Sequence, residues 1–176
     1  MIDYRLVRSD RRSLSLSVER DGSVLVRAPR RMPEEDIERF VRSHASWIRT
    51  HREKAEKRLA FDEAHFSDPA QIAALQKEAV QILPPMTAHW AARMDVTPAS
   101  VRITGAKTRF GSCSAANGIC YSWRLMAYPR EAQEYVVVHE LAHILEKNHS
   151  ARFYAIVARY LPDWQKRQAI LRHRED

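Results

Sequence analysis

Three consecutive valines, Val136–Val138, run directly into His139-Glu140-Leu141-Ala142-His143, and no other stretch of this 176-residue chain restricts the fold so tightly. A row of β-branched residues forms helix poorly in water, so a helix here must be buried, where packing overrides propensity. Pro129 and Glu131 supply its start: Pro suits the first turn and an acid suits the positive end of the dipole. On that helix His139 and His143 lie one turn apart on one face, and both imidazoles can reach a single metal ion. Glu140 is rotated about 100° from His139. It is then near enough to take a proton from a metal-activated water without ligating the metal. With 8 His and 13 Glu in the chain, chance supplies about 0.03 such motifs.

A catalytic zinc site takes three protein ligands and keeps one position open. Two residues downstream compete for the third place. Glu146 is seven residues after His139 and shares its face if the helix continues. His149 is six after His143 and enters from outside the helix if Asn148, in the left-handed conformation, turns the chain back. A ligand seven residues along a straight helix sits about 10 Å from His139 along the axis. His149 is therefore the expected third ligand, and Glu146 is left to support a ligand ring or face solvent.

The rest of the chain reads as a mixture of strands and helices. Leu14, Leu16 and Val18 alternate with serines, Asp21-Gly22 supplies a turn, and Ser23–Val26 returns, which is a β-hairpin. Pro33 with Glu34, Glu35 and Asp36 opens a helix expected to run to about Arg58. Residues 59–68 carry the least pattern and are expected to link a hairpin-and-helix segment, 1–66, to a core, 67–176, in one packed unit. Asp68-Pro69 starts another helix, which Pro84-Pro85 should break or kink. Strands are expected near 100–104 and 119–123, the second offering its edge to an extended peptide. The loop between them holds Arg109–Ser114, expected to be a tight turn with a structural arginine. Ser150 should cap one more helix and Pro162 should start the last. His44 and His51 lie seven apart on a helix with no partner between them, and His65, His89 and His173 stand alone, so none suggests a second metal site. Trp and Met residues at helical spacing read as core.

The run Tyr135–His143, then Asn148-His149-Ser150 and Phe153, resembles the YgjP-like (DUF45) metallopeptidase-like family, related to SprT-like zincins. Arg109-Phe110-Gly111-Ser112-Cys113-Ser114, Trp123-Arg124-Leu125 and Tyr160-Leu161-Pro162-Asp163 match its other landmarks. Phe110 stands where the family usually has Trp, and Ser122 where Asn is common. The resemblance covers residues 80–172 closely and the N-terminal hairpin and helix more loosely. It implies an α+β, zincin-like fold with an N-terminal hairpin and helix, three histidine ligands at His139, His143 and His149, and a catalytic Glu140. One Zn²⁺ per chain is the expected cofactor, although imidazole ligands also accept other divalent transition metals.

Charge and cysteine content add little. The net charge of +7 comes from 29 basic and 22 acidic residues, with 15 against 10 of them in residues 1–60. No basic block has aromatics interleaved for base stacking, so the surplus reads as a solvated surface, and nucleic acid is not the favoured partner. Cys113 and Cys120 cannot build a disulfide framework or a zinc site by themselves. The first residues lack an apolar signal run, and no stretch is apolar enough to span a bilayer, so the expectation is a cytoplasmic protein with no membrane partner. The expected activity is zinc-dependent hydrolysis of a peptide. A nucleotide phosphoanhydride or another small molecule as substrate is the first rival, since the motif sets metal and base but not the bond cleaved. A nucleic-acid-associated SprT-like protease or binding module is the second.

Overall fold

The computed structural model describes Ile2–Glu175, with side chains through Leu171, so the His173 side chain lies outside the described residues. The expected hairpin is present: β2 (Ser15–Val18) pairs antiparallel with β3 (Val24–Pro29), with Gly22 at φ +80° in the turn, a conformation that costs glycine nothing. A third strand, β1 (Arg5–Ser9), lies parallel to β3 on its other side. Its signal was the short alternation of Ile2, Tyr4 and Leu6, obscured by charges between them. Helix α1 (Glu34–Ser43) ends at His44, whose ring Nδ1 lies 2.8 Å from Phe40 O, and α2 (Ala45–Phe66) follows. Val24, Val26 and Ala28 from the sheet meet Ile37, Val41 and Ile48 from the helices in one buried cluster.

The chain divides into two compact units, Met1–Ala64 and His65–Asp176. Residues 59–66, expected to be a linker, continue α2 instead. Nothing before Ser67 and Pro69 stops the helix, since Leu59, Ala60 and Glu63 are good helix formers.

In the second unit α3 (Pro69–Met94) starts where expected, with the Asp68 carboxylate accepting from Ala70 N at 2.9 Å. Pro84 and Pro85 do not end it. The carbonyls they leave without an N–H partner are those of Val80 and Gln81, both on exposed residues where water reaches them. A three-stranded sheet follows, in the order β4 (Ser100–Thr104), β6 (Gly118–Ser122), β5 (Gly111–Cys113). The strand near 119–123 is thus the central one, hydrogen-bonded on both sides, and offers no edge; the edges belong to β4 and β5. A 3₁₀ turn at Trp123–Ala127 leads into α4 (Arg130–Leu145).

Helix α4 is the axis of this unit, packing on α3, β5, α5 (Ala151–Tyr160) and α6 (Trp164–Glu175). Val137, Val138, Leu141 and Ala142 are fully buried, as the valine run requires. Each valine so buried contributes roughly 1.5–3 kcal/mol, which outweighs its helix propensity deficit of a few tenths. Ser150 caps α5, its hydroxyl accepting from Phe153 N at 3.3 Å. Among the described residues no helix is long and apolar enough to cross a membrane.

Candidate metal centre

Three ring nitrogens converge where α4 ends. His149 Nε2 lies 3.1 Å from His143 Nε2 and 3.0 Å from His139 Nε2. The three residues form the one group of His, Cys, Asp or Glu side chains among the described residues that could hold a metal ion. Around a tetrahedral zinc with bonds near 2.0–2.1 Å, ligand nitrogens would stand about 3.3 Å apart.

Protons argue the same way. His143 Nδ1 faces the Glu146 carbonyl at 3.2 Å. A carbonyl only accepts, so Nδ1 carries the proton and Nε2 presents a lone pair to the cluster. Burial pushes the His139 pKa down to about 3, with His143 and His149 adding to the effect, and burial also lowers that of His143. Neutral imidazoles are the ligating form, and lone pairs crowded at 3.0–3.1 Å suit a cation between them. The donor set therefore fits a divalent transition metal.

The rings are held from below and behind. Phe153, fully buried on α5, touches all three, with centroids 4.8 Å from His139, 4.4 Å from His143 and 4.9 Å from His149. Tyr135 Oη lies 3.4 Å from His139 Nδ1. The chain turns toward His149 through Glu146, which is extended at φ −143°, and not through a left-handed Asn148; among the described residues the non-glycine residues with positive φ are Asp95 and Asn117. The Glu146 carboxylate accepts from Asn148 N at 3.3 Å, and Lys147 Nζ donates to Asn117 Oδ1 at 2.6 Å and Ser114 O at 3.1 Å. This lysine ties the His149 loop to the β5–β6 turn, a contact between residues 30 apart that no local pattern announces.

Glu140 is 5% exposed and, among the described residues, accepts no hydrogen bond. Burial raises its pKa to about 8 against the opposing charge of Arg109. It faces β5, where Gly111 leaves room for it: a Cβ at Gly111 would lie 2.5 Å from Glu140 Oε1 and 2.7 Å from its Cγ. The Arg109–Ser114 segment, expected as a structural turn, is therefore a wall of the site. Arg109 is exposed there, and Cys113 is only half-buried and beside Lys147. His44 and His51 turn their Nδ1 atoms to backbone carbonyls of their own helices.

Two expected results arise here. Gly111→Ala should displace the Glu140 carboxylate, because the atoms met are the end of a flexible side chain. Metal affinity should stay within a few-fold, while turnover of any validated substrate should drop by about 10²-fold, the effect of a misplacement near 1 Å. Turnover equal to wild type would show that the carboxylate needs no such clearance. The second concerns pH. A raised carboxyl pKa means the folded, metal-free chain holds a proton that the unfolded chain has released, so the contribution of Glu140 to stability falls as pH rises from about 4.5 to about 8, while the buried histidines act in the opposite sense. One proton allows at most about 1.4 kcal/mol per pH unit. Denaturant melts of chelated protein at pH 5.5 and 8 should show wild type losing stability relative to Glu140→Gln as pH rises, and equal pH trends in the two proteins would refute the raised carboxyl.

Thr108, Arg109, Tyr135, Tyr154 and Gln168 join the metal-site residues around a cleft of about 390 Å³. No curated protein sequence matches the chain. The crystal structure of the metallopeptidase zymogen abylysin from Pyrococcus abyssi aligns with a TM-score of 0.45 at 22% identity, over 51% of this chain and 88% of that one. The YgjP-like metallopeptidase domain matches residues 12–78 and 62–174, nearly the whole length. With most of both units inside those limits, the chain belongs to the YgjP-like metallopeptidase family.

Proposed function

We propose that this protein is a zinc-dependent peptidase in which His139, His143 and His149 hold the metal and Glu140 is the general base. The observation that carries this reading is the meeting of His149 Nε2 with His143 Nε2 at 3.1 Å and with His139 Nε2 at 3.0 Å, beside a buried α4 carboxylate that lines the cleft. When bound, zinc supplies Lewis acidity, polarising a scissile carbonyl and making water acidic near neutral pH.

The chain's own groups do the rest. Glu140 takes the proton from water and later delivers it to the leaving amine nitrogen. A carboxyl whose pKa is raised toward neutrality by burial suits both halves of that transfer. Phe153 and the Glu146 carbonyl fix the rings, so the donor set is ordered before any substrate enters. Strand β5, an edge strand beside Glu140, offers backbone groups along which an extended peptide can lie.

The test is a panel of casein, short peptides and nucleoside triphosphates, each assayed with zinc-loaded protein and again with a strong chelator present. Peptide cleavage that the chelator abolishes supports the proposal. Chelator-sensitive hydrolysis confined to the triphosphates would transfer the site to phosphoanhydride chemistry, and hydrolysis indifferent to the chelator would remove the metal from it.

A further inference from the structure

We infer that Arg109 is the anion anchor of the cleft, so that the peptide cleaved carries a carboxylate close to the scissile bond. This rests on the peptidase reading above and adds the chemical class of the substrate. Arg109 immediately precedes the β5 wall and lines the same cleft as His139, Glu140 and His149. Unlike Arg8, which donates to three backbone carbonyls, or Arg167, which pairs with Glu134 and Asp163, it makes no hydrogen bond or ion pair among the described residues. Its guanidinium is therefore available for a ligand.

The surroundings select an anion. Apart from the histidines and Glu140, the described lining is neutral, with Tyr135, Tyr154 and Gln168 offering hydrogen-bonding groups, so Arg109 is the cation of the cleft. Glu140 does not satisfy it, although the arginine's charge is felt there. The two groups share one cavity without pairing, which leaves the base free and the guanidinium's planar fork open for bidentate recognition of a carboxylate. The cleft, about 390 Å³, is near the small end of ligand pockets. Arg109, His139, Glu140 and His149 all line this one small cleft, so a group held by Arg109 lies close to the reacting atoms. A peptide has two sources of such a carboxylate, its C-terminus and an acidic side chain.

The experiment uses full-length zinc-loaded protein and matched short peptides: free against amidated C-terminus, and Glu against Gln at each position. Binding is measured by calorimetry in the Glu140→Gln background, with and without Arg109→Gln and Arg109→Lys; cleavage is measured separately with intact Glu140. At least one carboxylate peptide should bind about 10- to 100-fold more tightly than its neutral partner. Arg109→Gln should erase that preference while the neutral peptide's affinity stays within a few-fold, Arg109→Lys should restore part of it, and the loss in cleavage should fall on KM more than kcat. Which pair responds identifies C-terminus or side chain. Discrimination that survives in Arg109→Gln, equal losses for both members of a pair, or no carboxylate peptide bound overturns the anchor. Arg109-dependent binding without cleavage by the intact protein leaves the anchor standing and defeats the peptidase reading, whereas cleavage indifferent to Arg109 does the reverse.

Discussion

Glu140→Gln is expected to retain one metal per chain and to lose about 10²–10⁴-fold or more in hydrolysis. The amide is the same size as the carboxyl and uses the clearance that Gly111 provides, which a methyl group on residue 111 would fill. It is also uncharged, so the buried position favours it over the carboxylate that occupies it above pH 8. The substitution therefore tests chemistry rather than folding. The three Nε2 atoms are untouched by it, so metal affinity should stay within a few-fold, measured by chelator competition. What disappears is the group that moves the proton. If the variant keeps its metal and turns over a validated peptide near the wild-type rate, Glu140 is not the base and the mechanism proposed here is wrong. If it loses the metal, Glu140 belongs to the ligand set and the open coordination position is elsewhere.

The parts of the fold that could be read from the residues are those set by local rules. The Asp68 and Ser150 caps, the Asp21-Gly22 turn and the valine-backed helix each depend on side chains within a few positions of the feature they determine. The three-histidine cluster was legible for the same reason, since His139 and His143 are related by helical period alone and His149 lies one loop away. What escaped were features made by distant contacts. Strand β5 has three residues, too few for a period, and its closeness to Glu140 comes from packing of the sheet on α4. The Lys147 tie to Asn117 spans 30 residues. Local rules also failed where their premises did. Pro84-Pro85 removes two hydrogen-bond donors, but on a face where water replaces them, and the helix continues. Asn148 suits the left-handed conformation, yet an extended Glu146, steadied by its own carboxylate and by Lys147, already turns the chain. Phe153 was visible as core, and its role as the floor under all three imidazoles needed their positions.

Metal affinity should depend steeply on His149 and hardly at all on the charge of Glu146. His149 Nε2 is the atom that meets both other ring nitrogens, at 3.0 and 3.1 Å, from a loop outside α4. It supplies the direction that two ligands on one helix cannot, and tetrahedral coordination needs that direction. Its removal leaves two imidazoles and should weaken binding by more than about 100-fold, the upper end of what losing a mere supporting partner costs. Glu146 sits at the end of α4 and acts differently. Its backbone carbonyl, not its side chain, faces His143 Nδ1. One carboxylate oxygen accepts from Asn148 N, which the glutamine oxygen can also do, and the other stands 4.0 Å from an exposed Arg152, a pair of little energetic weight. Glu146→Gln should therefore change the metal Kd by no more than about threefold. Stoichiometry by elemental analysis and Kd by chelator competition, on both variants beside wild type, give the comparison. A Glu146→Gln protein that loses its metal beside a His149→Ala protein that keeps it would move the third ligand to the carboxylate and sink the triad.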